Sequence, residues 1–366
     1  MNGPEILLLI RLDLQRTVAL RGRPPNPRPL DVSPWLAMSV LQKAIRRGRE
    51  DLALGAAATL LRGAPDKLWR RIGCIAYEDV GLASLEAVGL TTAALTGKQS
   101  RAALGGDWAV ASCIIGELSR APKCRAADDL LMACELHPGY AEARAELPHL
   151  TTRDLIRVAT GRGTVHERAL GLWYALGTDR RPSALVSRRG EPRLVFDQLC
   201  EIGWPHSIVE VAREGFRRTG EMLCPLVALL SCEPRRTTQV ESDELPPEKM
   251  IGDVPCWALD VYTREGRAAF TRFLPTNAPA ARWVRGNVSP TRRVSFLGHI
   301  VFRVEGGLVA NRMHWPLADE LRRQVDVECS GPECSDASEI LELMRADLPL
   351  LNQARAVVAG SFRHAR

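Results

Sequence analysis

The sequence predicts an all-α protein built from packed short helices, and three observations support this prediction. Apolar residues recur at spacings of three and four along most of the 366-residue chain, which is the period of one helix face. Turns of about two to six residues separate these stretches, as is typical of packed helical bundles. Apolar and polar residues partly alternate in the segment 294–303, so we expect at most a small β-hairpin, near residues 294–310.

The composition is that of a globular protein, with 46% hydrophobic and 25% charged residues. The longest apolar run near the N-terminus, Ile6–Ile10, is far shorter than the roughly 20 residues of a membrane span. It also lacks the long apolar core of a signal peptide. We therefore expect a cytoplasmic protein with no membrane partner.

The ten cysteines are spread singly, mostly among apolar neighbours, which is typical of reduced, buried thiols. The one tight pair is Cys329 and Cys334, with His314 upstream. A metal site needs about four convergent ligands, and no second C-x2-C or H-x3-H pair completes one here. We therefore expect no bound metal and no cofactor.

The net charge of +6 comes almost wholly from arginine, since lysine occurs only at Lys43, Lys67, Lys98, Lys123 and Lys249. An arginine- and alanine-rich composition also reflects GC-rich coding, so the excess is weak support for any partner. Arginine is nevertheless the better bidentate phosphate ligand, and DNA stays open as a partner.

Residues 1–32 are predicted to form an N-terminal arm. The apolar segment Leu7–Leu14 fits a helix or a strand equally well. The proline-rich segment 21–29 follows, and its repeated X-Pro steps exclude a helix and favour an extended strap. This strap lets the first segment dock on its own core or on a neighbouring subunit.

Residues 33–150 carry the clearest helical pattern. Ser33 and Pro34 predict a helix start, because serine caps the free N–H groups and proline suits the first helical position. Lys43 and Arg46 lie near the end of this helix, where its dipole favours cations. Further helices are expected at about 50–62, 66–79, 84–96, 107–120, 124–136 and 139–146.

Three segments complete the predicted organisation: a helical extension at 151–235, a polar, acidic linker at 236–253 and a C-terminal helical module at 254–366. The module has helical patterns at about 257–273, 317–325 and 338–358. Residues 294–303 partly alternate. We predict a helix there, and a hairpin turning at Gly306 and Gly307 is the alternative.

Three motifs resemble a known family. Ser39–Leu54 matches the pattern S-A-L-H-K-S-x-R-G-S-x-x-D-A-A-L, Ile75–Ala83 matches a helix ending in A-x-E-D-I/V-G, and Ala121–Ala127 matches A-P-K-S-N. The same patterns follow one another, at similar separations, behind the ATPase core of RarA/MgsA-type AAA+ replication-maintenance ATPases. Residues 33–148 thus resemble the C-terminal oligomerisation collar of that family.

The resemblance implies a collar-like helical module that assembles into a homo-oligomer and acts in DNA replication, repair or mobile-element maintenance. DNA, an ATPase or another protein are the partners it leaves open. The motif and interface residues carried over by position are Lys43, Arg46, Glu78, Asp79, Gly81, Pro122 and Lys123.

Glu78 and Asp79 are predicted to lie at a helix end, with Gly81 at the position that turns the chain. Carboxylates there oppose the helix dipole, at a cost of a few tenths of a kcal/mol unless a cation answers them. We therefore expect a cationic partner, for which the candidates are Arg70, Arg71, Lys43 and Arg46. The alternative is a solvated acidic turn.

The ATPase core of the family is absent. ATP hydrolysis requires G-x4-G-K-[ST], and the one Gly-Lys pair, Gly97-Lys98, is followed by Gln99 and has Thr92 where the first glycine should stand. No apolar run ends in the acidic pair of a Walker B strand. Since no other catalytic signature such as G-x-S-x-G or H-E-x-x-H is present either, we expect no catalytic residues.

One polar constellation lies at the start of the last module. On a continuous helix Asp260, Thr263, Arg264 and Arg267 would share one face. Such a face suits a phosphate, the DNA backbone or a substrate. The alternative is a set of intrahelical ion pairs of little energetic weight.

A basic loop is the best nucleic-acid candidate. It contains Arg282, Trp283, Arg285, Arg292 and Arg293, and arginines interleaved with tryptophan can contact phosphate and stack a base. The alternative is a surface loop whose Trp283 folds inward.

The function predicted from the sequence is that of a non-enzymatic, oligomeric helical scaffold acting in DNA replication, repair or mobile-element maintenance. Two alternatives stay open. One is a protein-binding adaptor that uses the proline strap. The other is an enzyme whose site in the C-terminal module combines the Asp260–Arg267 face with Arg312 or His314.

Overall fold

The all-α fold is confirmed. The computed structural model describes residues 2–178, 187–235, 238–331 and 334–364, and within them it contains nineteen α-helices and four short strands. No described helix is both long and apolar enough to cross a membrane. The helices are α1 (Gly3–Arg21), α2 (Pro34–Arg46), α3 (Glu50–Gly63), α4 (Pro65–Ile75), α5 (Leu85–Ala94), α6 (Lys98–Ala102), α7 (Asp107–Arg120), α8 (Ala126–Leu136), α9 (Ala141–Glu146), α10 (Thr152–Thr160), α11 (Val165–Leu176), α12 (Pro192–Glu201), α13 (His206–Thr219), α14 (Leu223–Ser231), α15 (Arg264–Phe273), α16 (Pro279–Asn287), α17 (Arg293–Val301), α18 (Pro316–Arg323) and α19 (Ser338–His364). The strands are β1 (Gln239–Glu241), β2 (Met250–Ile251), β3 (Val254–Pro255) and β4 (Arg312–His314).

A small hairpin exists, but not near residues 294–310. It is formed by β2 and β3, which pair antiparallel with Ile251 opposite Val254. The predicted helix at 294–303 is confirmed as α17, which continues into a single π-helical turn, Phe302–Gly306. The glycine pair therefore ends a helix instead of turning a hairpin, and the backbone oxygen of Gly306 accepts a hydrogen bond from Arg46.

Local capping explains several helix starts. Asn2 and Glu5 form a reciprocal capping box at α1, which decides the N-terminal segment in favour of helix. The hydroxyl of Ser33 accepts from the amide of Leu36 and begins α2 as predicted. The segment 22–33 between these helices, which contains the strap from residue 22 onward, has no regular secondary structure. Leu30, which follows the strap, exchanges hydrogen bonds with Thr59.

The contacts divide the chain into two compact units, each built from non-consecutive segments. Unit 1 comprises Met1–Pro24, Trp69–Val240 and Arg312–Val325, and unit 2 comprises Pro25–Leu68, Glu241–Asn311 and Asp326–Arg366. The consecutive modules expected from the sequence stay a prediction. The expected linker at 236–253 begins with two residues that lie outside the described ones.

Unit 1 is a stack of helices in which α1 packs against α5, α7 and α13, and α8 packs against α11, α14 and α18. Its core is apolar and includes the fully buried Leu130, Trp173 and Phe196. The ends of α4, α7 and α8 meet in this unit, and they carry the second and third sequence motifs.

Unit 2 packs α15, α16 and α17 against the long helix α19, and α2 against α3. Phe270, Phe273 and Leu351 lie at the centre of its core. The carboxylate of Asp347 on α19 accepts from the amide of Ala280, 2.7 Å away, and so satisfies the first turn of α16.

Candidate functional site

The structure brings the second and third motifs together in unit 1. Helix α4 passes into a π-helical turn, Ala76–Val80, and Gly81 then adopts a φ of +47°. The amide of Cys124 donates to the backbone oxygen of Asp79 at 2.9 Å. A Cβ on Gly81 would lie 2.9 Å from the Cys124 oxygen, so both the φ angle and the close approach require glycine.

Arg125 is the centre of a buried ion cluster. Its guanidinium pairs with Asp79 and Asp128 and lies 3.3 Å from Glu78. Burial disfavours the charge of Arg125, but the attraction of Asp128, Asp79 and Glu78 outweighs it and raises the pKa of Arg125 well above its usual range. The alternative of a solvated turn is wrong for Asp79, which is fully buried. Arg125 is not among the four cations expected from the sequence, which are Arg70, Arg71, Lys43 and Arg46.

Lys123 is also fully buried, next to Pro122, which follows the end of α7. Its ammonium donates to the backbone oxygens of Ser119 and Ala121 and so caps the last turn of α7. Its own backbone oxygen accepts from the amide of Met313 at 2.8 Å. Burial lowers the pKa of Lys123 from 10.5 to about 8, and the charge of Asp79 opposes this shift.

We expect Lys123 to make stability depend on pH. Between about pH 8 and pH 10.5 the unfolded chain binds more protons at this lysine than the folded chain does, so the free energy of unfolding rises with pH. A shift of this size corresponds to about 3 kcal/mol. Urea titrations at several pH values measure this. The free energy of unfolding of the wild type, minus that of Lys123→Met, should rise by about this amount across that window. A variant of the exposed Lys98, Lys98→Met, should run parallel to the wild type; parallel curves for Lys123→Met as well would refute the assignment.

Lys43 and Arg46, from the first motif, lie in unit 2. The ammonium of Lys43 pairs with the carboxylate of Asp260 and donates to Ser39 at 2.7 Å. Burial lowers the pKa of Lys43, and the charge of Asp260 and its hydrogen bond act in the opposite direction. Arg46 donates to the backbone oxygen of Gly306 at 2.8 Å. Both cations therefore tie α2 to neighbouring segments of this unit.

The shared face predicted for Asp260, Thr263, Arg264 and Arg267 does not form. Helix α15 begins only at Arg264, and the hydroxyl of Thr263 caps it by accepting from the amide of Gly266. Asp260 and Thr263 are buried, whereas Arg264 and Arg267 are exposed. The predicted polar face is therefore wrong, and with it the proposed enzyme site that uses this face. The reason is that Thr263 caps a new helix after Asp260, so the four residues do not lie on one continuous helix.

The predicted basic loop is largely helical, since α16 covers Trp283 and Arg285 and α17 begins at Arg293. Arg285 donates to the backbone oxygens of residues 274 and 276, and Arg293 donates to those of residues 288 and 285. Trp283 stacks on Phe296 with a centroid distance of 5.9 Å and donates to Glu339. These three side chains thus make contacts within the chain, and for Trp283 this agrees with the alternative of an inward-folded tryptophan. Arg282 and Arg292 are exposed.

Five of the seven motif residues are consequently buried inside a single chain, whereas Glu78 and Pro122 are half-buried. Asp79 and Lys123 are 0% exposed, and Lys43 and Arg46 are 4% and 2% exposed. A second chain cannot reach these four charges without opening the fold, so a contact between copies must use residues other than these four. Seven of the ten cysteines, including Cys329 and Cys334, are buried free thiols.

A row of exposed leucines lies on α1 and was not predicted from the sequence. Its inner side buries Ile6 and Leu14, yet its outer side exposes Leu8, Leu9 and Leu12 by 54%, 46% and 50%. A helix that is apolar on opposite sides is usually covered on both. The run of leucines carried this signal, but helix and strand could not be distinguished there, so the two faces could not be assigned.

Comparisons of the chain with protein-family models, with curated proteins and with solved structures found no match. The resemblance to the collar of the RarA/MgsA-type ATPases therefore stays a prediction from the three motifs.

Proposed function

We propose that this chain is an oligomeric helical scaffold that self-associates through the outer face of α1. The observation that carries the proposal is the row of exposed leucines on a well-capped helix whose other side is already packed. Such a row of leucines is unfavourable in water and becomes favourable when a second apolar surface covers it. The role as a non-enzymatic accessory factor in DNA replication, repair or mobile-element maintenance rests on the motif resemblance.

The order of charges on α1 favours a second copy as the occupant. At about 100° per residue, Glu5, Leu9, Leu12 and Arg16 lie on one side of the helix at spacings of four, three and four. In an antiparallel pair of α1 helices, Leu9 would face Leu12 of the second copy, and Glu5 would face Arg16 at both ends. The acidic start and basic end of the stripe thus complement themselves under twofold symmetry.

The buried ion clusters support a scaffold rather than a mobile machine. Arg125 holds the ends of α4 and α8 together, and Lys43 holds α2 to Asp260. Breaking such pairs leaves unpaired charges in the interior, so each unit should keep its shape when it assembles.

Loss of the leucine stripe should abolish self-association. We expect the double change Leu9→Glu and Leu12→Glu to convert the wild-type oligomer into a monomer of 40.3 kDa, because it places four carboxylates in one apolar contact. Sedimentation velocity at micromolar concentration measures this. The control is Ile202→Glu, which changes a residue of similar exposure, 51%, elsewhere in unit 1 and should leave the oligomer intact.

The charge pairing can be tested separately. Arg16→Glu alone should weaken the oligomer, because it places two carboxylates opposite each other at both ends of the pair. The combination with Glu5→Gln should recover part of the loss, because glutamine removes the repulsion and keeps an acceptor for the capping box at Asn2. A wild-type chain that is strictly monomeric would refute the proposal and favour the adaptor alternative. DNA is tested as a partner by titrating the wild-type protein into a fluorescent DNA duplex at low salt. The candidate contact residues are the exposed arginines Arg264, Arg267, Arg282 and Arg292.

A further inference from the structure

We propose that Cys200, His206 and Glu210 form a Zn²⁺ site in unit 1. Among the described residues, these three offer metal-ligand atoms that all lie within 4.8 Å of one another. The sulfur of Cys200 is 3.5 Å from Oε1 of Glu210, and Nε2 of His206 is 3.7 Å from the same oxygen. The three side chains therefore already converge.

The local fold explains the convergence. Cys200 lies at the end of α12, and a short turn leads to α13, which begins at His206. The turn contains Gly203 at a φ of +97°, a conformation that favours glycine. His206 and Glu210 are four residues apart on α13 and so share a face. Two ligands come from one helix and the third from the helix before it.

The distances agree with zinc coordination. Zn²⁺ binds sulfur at about 2.3 Å and nitrogen or carboxylate oxygen at about 2.0–2.2 Å, so neighbouring ligand atoms of a tetrahedral site are roughly 3.3–3.7 Å apart. Two of the observed distances, 3.5 and 3.7 Å, meet this requirement. The third can close by a rotation of His206, whose side chain is 47% exposed.

The ligand set selects the ion. A thiolate and an imidazole favour Zn²⁺ over Mg²⁺ or Ca²⁺, which prefer oxygen ligands. Three protein ligands leave a fourth position for water, as in zinc sites that are not purely structural. Because the side chain of His206 is 47% exposed, water can reach the site.

Arg213 is the principal competitor for the site. Its guanidinium lies 3.3 Å from Glu210 and 3.9 Å from the sulfur of Cys200, and it also bonds Asp197 at 2.6 Å. This cation balances Glu210 in the absence of a metal. Because Asp197 holds the other side of the guanidinium, Arg213 keeps a partner when Zn²⁺ takes its place beside Glu210.

A Zn²⁺ site at these residues would differ from the expectation, drawn from the sequence, that the chain binds no metal. The sequence shows a histidine and a glutamate at positions i and i+4, preceded by a cysteine six residues upstream of the histidine. This spacing differs from the paired C-x2-C and H-x3-H motifs that identify structural zinc sites. The spacing indicates a metal site only once α12 and α13 are known to be consecutive helices that bring the three side chains together.

Cobalt titration of the full chain tests the site. Co²⁺ should give the intense visible bands of a tetrahedral ion and a near-ultraviolet thiolate band, and Zn²⁺ should displace it. Cys200→Ser should abolish the thiolate band. His206→Gln should weaken Zn²⁺ binding at least about tenfold, because removing even a residue that only hydrogen-bonds to a metal ligand lowers metal affinity by about this factor. Arg213→Met should strengthen binding, by about tenfold if about 1.4 kcal/mol of repulsion is removed.

The control is Cys232→Ser, which removes the exposed thiol elsewhere in the unit and should leave both bands unchanged. Thermal melting without metal shows whether each variant folds. The proposal is overturned if folded wild-type protein gives only the pale spectrum of octahedral Co²⁺, or if Cys232→Ser reduces the bands as much as Cys200→Ser does.

Discussion

Arg125→Met is expected to destabilise unit 1 by about 3–5 kcal/mol, the range for removing one partner of a buried ion pair. The substitution leaves Asp79, which is fully buried, beside Glu78 and Asp128 without the guanidinium that pairs with all three. Hydrogen exchange followed by mass spectrometry measures the local effect. Peptides covering residues 76–83 and 121–131 should lose protection by more than about 100-fold.

A second substitution distinguishes lost pairing from lost packing. In the double variant with Asp79→Leu the buried carboxylate is gone, and an apolar pair of similar volume should recover at least half of the lost stability. Arg120→Met is the matched control, because its pair with Glu117 is largely exposed and contributes less than about 1 kcal/mol. Equal losses in Arg125→Met and Arg120→Met would show that the cluster is not what holds these helix ends.

Arg355→Met should have a similar or larger effect in unit 2. Arg355 is fully buried on α19 and makes two charged hydrogen bonds to Glu305, at 3.1 and 2.7 Å. Its remaining donors reach Asn352 and the backbone oxygen of Leu259. Without Arg355, Glu305 retains a weak contact from the thiol of Cys256, so we expect a loss of about 3–5 kcal/mol or more.

The geometry of this pair predicts an ordered series of variants. Arg355→Lys keeps the charge but cannot make the two parallel bonds, so its loss should be intermediate. The double variant with Glu305→Leu should regain much of the stability. Arg345→Met on the exposed side of the same helix should change the free energy of unfolding by less than about 0.5 kcal/mol. Urea titration of the tryptophan fluorescence measures the series, and a loss in Arg355→Lys equal to that in Arg355→Met would contradict the bidentate role.

The positions of most helices follow from local rules, and this explains why they were predicted. Ser33 with Pro34 marks the start of α2, and Gly63 is the last residue of α3. Predictions failed where a cap overrode periodicity. Thr263 starts α15 after Asp260, and Pro279 starts α16 within a stretch interpreted as a basic loop.

The candidate sites depended far more on the tertiary structure. The outer leucines of α1 were visible in the sequence, but only packing shows which side of the helix is already covered. Cys200 becomes a ligand candidate only when α12 and α13 lie side by side.

The sequence alone determined the helical class, most of the helix ends and the presence of charged motifs, because these depend on spacing and capping within a few residues. The tertiary structure alone decided the partner of each charge. Arg125 pairs with Asp79 46 residues away, and Lys43 with Asp260 217 residues away. Many cations can neutralise a given carboxylate in an unfolded chain, and only the packing of the helices brings one of them within bonding distance while excluding water from both.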